Sequence, residues 1–148
     1  MPMPVTQART PSPEVTSPPP LSHGKSKPYR RVLLVNPPME IIGAEFLMDD
    51  IPIRLEYLAA YIRQHVDDVE VLDLTVIKKP LQYFLERFVP DLVGIGVNYV
   101  SVHKNAQALA GVAKRYGADV VVGGYEATAL AEEFATHPDV DVVVRGEG

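Results

Sequence analysis

The run Arg31-Val32-Leu33-Leu34-Val35-Asn36 is apolar at four successive positions and stops at Pro37-Pro38. Side chains alternate between faces along a strand, so apolar residues in both phases predict a strand buried on both sides, as in a parallel sheet. Proline has no N–H to give the ladder, and the proline pair ends the strand. Asp91-Leu92-Val93-Gly94-Ile95-Gly96-Val97 has the same character. So do Asp119-Val120-Val121-Val122, which runs into Gly123-Gly124, and Val140 to Val144. Val69-Glu70-Val71-Leu72-Asp73-Leu74 alternates and reads as an edge strand.

Helical segments lie between these runs. Ile53 to Val66 puts Leu55, Leu58, Ala59, Ile62 and Val66 on one face, the spacing of an amphipathic helix. Leu81 to Val89 is a short helix between Pro80 and Pro90, His103 to Tyr116 is a helix capped by Gly117, and Thr128 to Thr136 is another. Strands that alternate with helices imply right-handed crossovers and helices on both faces. The fold class is therefore α/β, a flavodoxin-like (Rossmann-like) doubly wound five-stranded parallel sheet of order 2-1-3-4-5. In such folds ligands bind beyond the carboxyl ends of the strands, at the switch point between strands 1 and 3. The loops at 36–52, 97–102, 123–127 and 145–148 thus become the candidate site.

Composition narrows the classes. Eight of the 14 prolines fall in residues 1–28, which carry Arg9, Lys25 and Lys27 against Glu14. Such a Pro/Ser-rich stretch buries too little apolar surface to offset its ordering, and predicts a disordered tail over 1–28 and one domain over 29–148. Ser17-Pro18-Pro19-Pro20 could dock in an aromatic groove, though a plain tail accounts for it. The body is acidic, with a chain net charge of −5, which argues against a nucleic-acid partner. No apolar run approaches the about 20 residues of a membrane span, and Met1-Pro2-Met3-Pro4 does not open like a signal peptide. The chain has no Cys, so disulfides, thiolate zinc sites and iron–sulfur ligation are excluded, and a cytoplasmic location is expected.

Catalytic constellations are scarce. No Ser sits in a Gly-x-Ser-x-Gly turn, and His23, His65, His103 and His137 are not spaced as metal ligands. His65 and His137 read as solvated, and His103 as a helix first-turn residue. Glu132-Glu133 and Asp67-Asp68 read as solvated surface, and Asp49-Asp50 as surface or as a contact for polar ligand groups. Gly94-x-Gly96 lies within a strand with Tyr99 where a third Gly belongs, so the dinucleotide fingerprint fails. A phospho-receiver would place an aspartate at the end of strand 3, where Val97-Asn98 stands, and a lysine where Arg145 stands. The first loop is long and apolar, with Met39, Ile41, Ile42, Phe46, Leu47, Met48 and Ile51. It either packs on a large ligand or partner or covers the core.

Five motifs follow in order: Val32 to Pro38, Leu55-Glu56-Tyr57-Leu58-Ala59-Ala60-Tyr61, Asp91 to Val97, Val121-Val122-Gly123-Gly124-Tyr125-Glu126-Ala127-Thr128, and Val144-Arg145-Gly146-Glu147-Gly148. Together they resemble the N-terminal cobalamin-binding domain of the B12-dependent radical SAM proteins, over about residues 30–148. The resemblance implies a domain that holds cobalamin over the carboxyl ends of its strands. Asn36, Pro37 and Pro38 would line the first loop, with Ile51 of that loop. Asn98, Tyr99, Val100 and Ser101 would edge the nucleotide tail. Gly123, Gly124, Tyr125 and Glu126 would pass beneath tail or corrin, and Arg145, Gly146 and Glu147 would close the site.

Departures from the family shape the expectation. The Asp-x-His-x-x-Gly motif of other B12 domains is absent, and no His lies between Asn36 and Arg63. No histidine ligand to cobalt is therefore expected from the first loop. Glu126 stands where family members often have His. In the family a Cys-x3-Cys-x2-Cys radical SAM domain follows the point marked here by Gly148. Without cysteine this chain cannot ligate the cluster, so the radical SAM domain is expected in cis, beyond a truncation, or in trans. The module would hold cobalamin for methyl transfer or redox chemistry done elsewhere. The alternative is a flavodoxin-like interaction or nucleotide-sensing domain without corrinoid.

Overall fold

The computed structural model describes residues 29–39 and 52–146. The expected tail over 1–28, most of the first loop with Ile51, and Glu147 lie outside them. Five strands, β1 (Arg31–Asn36), β2 (Asp68–Asp73), β3 (Leu92–Gly96), β4 (Asp119–Gly123) and β5 (Val142–Val144), form one parallel sheet of order β2-β1-β3-β4-β5. The expected topology is thus observed, with β2 at the rim. The helices are α1 (Ile53–Ile62), α2 (Leu81–Phe88), α3 (His103–Arg115), α4 (Tyr125–Ala129) and α5 (Ala131–Ala135).

The two phases of β1 feed two cores. Leu33 and Val35 join Leu72, Val93, Ile95, Val120 and Val122 under α2, α3 and Phe134 of α5. Val32 and Leu34 face the other way, against Ala59 of α1 and Val69. Each such buried Val, Leu, Ile or Phe side chain is worth about 1.5–3 kcal/mol. Gly94 belongs to the α1 face, where a Cβ would lie 2.8 Å from Leu34 Cδ2. Its register partners continue that face through Val121 to Val142, both only half-buried.

Carboxylates tie down the amino ends of the strands. Asp91 Oδ2 accepts the backbone N–H groups of Arg30 and Arg31 at 3.0 and 2.9 Å. Asp141 Oδ2 accepts Val120 N–H at 2.7 Å and Lys114 Nζ at 2.9 Å. The bond to Asp141 holds the Lys114 ammonium above its ordinary pKa, against an opposing effect of burial. At the same end the Tyr29 hydroxyl donates to Asp119 at 2.9 Å.

Three boundaries differ from the sequence expectation by more than one residue. The helix expected over 128–136 is two short helices that begin at Tyr125, because Gly124, at φ 118°, reverses the chain at once. Leu130, at φ −110° and ψ 34°, separates them. The first helix ends at Ile62, after which Gln64 and His65 bond three residues back to Tyr61 and Ile62, tightening the last turn. The last strand starts at Val142, since Val140 N–H is taken by His137 in a turn.

Candidate functional site

The sheet order puts a cleft at the carboxyl ends of β1 and β3, where the chain leaves in opposite directions. It is lined by Asn36, Pro37, Met39, Thr75, Gly96, Asn98, Tyr99 and Val102 and measures about 40 Å³. That is room for a few waters, so only the tip of a ligand enters unless Tyr99 and Met39 move. Tyr99 and Val100 at the rim are 50% and 74% exposed.

The floor is braced through strand register. Asn36 stands opposite Asp73, and its amide donates to Asp73 Oδ1 at 3.0 Å. Thr75 donates its backbone N–H and hydroxyl to the same oxygen at 3.0 and 2.7 Å. Asn36 therefore shapes the cleft with its amide engaged. Pro37 is fully buried, and Asn105 on α3 donates to the Pro38 carbonyl at 2.9 Å, which fixes where the first loop leaves the sheet.

The turn after β4 is stapled to the end of β3. The Val97 carbonyl accepts Glu126 and Ala127 N–H at 3.0 and 3.3 Å, so those donors are spent within the fold. A Cβ on Gly124 would lie 2.6 Å from both the Val97 carbonyl oxygen and Asn98 Oδ1. Only glycine allows this approach and this φ. At Gly123 a Cβ would meet Val144 at an ordinary 3.5 Å. Thr128 completes the rim: its hydroxyl donates to the Gly124 carbonyl at 2.8 Å and accepts Gly146 N–H at 3.0 Å.

Asn36, Pro37, Asn98 and Tyr99 thus share the cleft, while Gly123, Gly124, Tyr125 and Gly146 meet on its β4 side. Val100, Ser101 and Arg145 are exposed, and Glu126 is half-buried. Sequence reasoning missed Asp73, Thr75 and Thr128, whose roles follow only from register and crossover. It also missed Arg54, which reaches from α1 to Asn98 and Tyr125. His103 lies away from the cleft. Its Nε2 is 2.8 Å from Glu133 Oε1 and its ring stacks on Phe134, tying α3 to α5. Glu133 is therefore engaged, where the sequence suggested plain surface. Among the described residues no group of three or more His, Asp or Glu could hold a metal ion, and no helix is long and apolar enough to cross a membrane.

The cleft offers a polar slot for the tip of a ligand, beside a side-chain-free ledge at Gly123-Gly124 and a partly apolar rim. A family model described as the B12 binding domain matches residues 39–148. A solved novel cobalamin-binding protein from Desulfitobacterium hafniense DCB-2 aligns with TM-score 0.54 and 16% identity, over 80% of this chain and 53% of that one. This chain therefore spans about half the length of that protein. The complex of the P1 domain of CheA3 with CheY6 from R. sphaeroides aligns at TM-score 0.45 and 15% identity, over 78% of this chain and 81% of that one. No curated protein matches.

Proposed function

Because the chain belongs to the B12-binding domain family, with cobalamin as its cofactor, we propose that it serves a radical SAM domain, in cis or in trans. The corrinoid would lie over the carboxyl ends of β1, β3, β4 and β5. When bound, cobalamin supplies a cobalt centre that carries a methyl group or changes oxidation state. The chain's own residues bind and orient. Asn36, Pro37 and Pro38 would border the first loop, to which Ile51 belongs in sequence, and Asn98, Tyr99, Val100 and Ser101 would edge the tail. Gly123, Gly124, Tyr125 and Glu126 would form the ledge, and Arg145 and Gly146, with Glu147 next in sequence, would close it.

The observation that carries this reading is the cleft at the switch point beside a glycine ledge whose second residue, Gly124, has no space for a Cβ. The five sequence motifs in order support the radical SAM association. No histidine of the first loop is available to the cobalt. Hydroxocobalamin added to purified protein should survive desalting in stoichiometric amount, with a shifted visible spectrum. A colourless protein would contradict the binding reading. Co-purification with a radical SAM domain supplied separately tests the partner, and its absence with both proteins loaded would contradict the in-trans form.

A further inference from the structure

Arg54 lies exposed in the first turn of α1 and reaches across the carboxyl ends of β3 and β4. Its Nη1 donates to Asn98 Oδ1 at 3.4 Å and its Nη2 to the Tyr125 hydroxyl at 3.2 Å. The guanidinium carbon is 4.2 Å from the Tyr125 ring centroid. Both acceptors are uncharged oxygens, and both bonds are longer than those an arginine makes to a carboxylate or phosphate. Among the described residues no ion pair includes Arg54. A guanidinium offers five N–H donors in a planar fork that matches two oxygens of a phosphate. The stacking ring and the two neutral acceptors hold that fork above the cleft, so little freedom remains to be lost when an anion arrives. The side-chain amides around a corrin are neutral, whereas its nucleotide tail carries a phosphodiester.

We propose that Arg54, positioned by Asn98 and Tyr125, binds the phosphodiester of the nucleotide tail and lets this site select complete cobalamin over a tail-less corrinoid. The inference rests on the cobalamin reading above. It adds a residue outside the five motifs and assigns it a specificity role.

Equilibrium dialysis with hydroxocobalamin and with diaquacobinamide, which lacks the nucleotide tail, tests it on wild type, Arg54→Gln and Arg54→Lys. Arg54→Gln should weaken hydroxocobalamin by roughly ten- to a hundredfold and leave diaquacobinamide within about twofold. Arg54→Lys, which keeps a charge without the fork, should fall between. Thermal melting checks that the exposed substitution leaves the fold intact. On the unmutated protein, added salt should weaken hydroxocobalamin more than diaquacobinamide, which needs no variant. Equal losses for both ligands, no loss, or equal salt dependence would overturn the inference and leave the cobalamin reading standing. Inorganic phosphate that displaces both ligands alike would assign Arg54 to free phosphate and also overturn it. Wild type that retains neither ligand would overturn both.

Discussion

Gly124→Ala puts a methyl group where the structure has no space for one. The new Cβ would sit 2.6 Å from the Val97 carbonyl oxygen and 3.0 Å from its carbon. These are backbone atoms, so no rotamer change relieves the contact. The Val97 carbonyl cannot withdraw freely either, because it accepts Glu126 and Ala127 N–H. Backbone at φ 118° and ψ −178° is tolerated almost only by glycine and costs about 1–3 kcal/mol for other residues. Overpacking adds about 1–3 kcal/mol, so a total of about 2–6 kcal/mol is expected, or a Tm loss on the order of 10–30 °C for a domain this size. Two other glycines separate the causes. Gly117, at φ 82° with nothing within 4 Å of a Cβ, has strain without a clash, and Gly117→Ala should cost about 1–2 kcal/mol. Gly123→Ala has neither and should stay within about 1 kcal/mol. Denaturant unfolding of the three variants gives the order. Equal losses at Gly123 and Gly124 would refute the claim that Gly124 is fixed by close approach to β3.

Asp73→Ala removes the acceptor shared by Asn36 and Thr75 and should cost about 1–3 kcal/mol in urea unfolding, with weaker cobalamin retention. Asp73→Asn keeps a carbonyl oxygen and should cost less than half as much. Lys114→Met tests the amino end. The folded ammonium titrates above its ordinary 10.5, so its stabilisation is complete below that pH and fades as pH rises through the folded value. The stability gap between wild type and Lys114→Met, followed by urea unfolding from neutral pH upward, should therefore be flat to about pH 10 and shrink above it. His103→Ala loses the stack on Phe134 and the bond to Glu133; thermal melts should show about 1–2 kcal/mol lost with cobalamin binding intact, since the pair lies outside the cleft.

Much of the fold is legible because β1, β3 and β4 are apolar in both phases and β2 is not, which places β2 at the rim before any contact is known. Turn chemistry identifies Gly123-Gly124 as a pair, but only the approach of Val97 and Asn98 shows that the second glycine is the constrained one. Asn36 belongs to the cleft as its position at the end of β1 implies. That its amide is engaged by Asp73 depends on register between strands far apart in sequence. Glu133 looks like solvent-facing charge until α5 packs beside α3 and brings it to His103. Arg54 carries no motif, and its reach to Tyr125 exists only once α1 has crossed over the sheet. Local pattern thus reveals strands, helices and turns, while pairings between distant elements require the topology.

The central claim is that cobalamin rests on the carboxyl-end surface of this sheet. Hydrogen exchange of the chain with and without hydroxocobalamin measures it most directly. Protection should rise at Asn36 and Met39 and at residues 98–102, 123–128 and 145–146, and stay unchanged at the amino-end turns around Asp67, Asp91 and Gly117. Protection centred on those amino-end turns, or none from a cobalamin that co-elutes with the protein, would contradict the account.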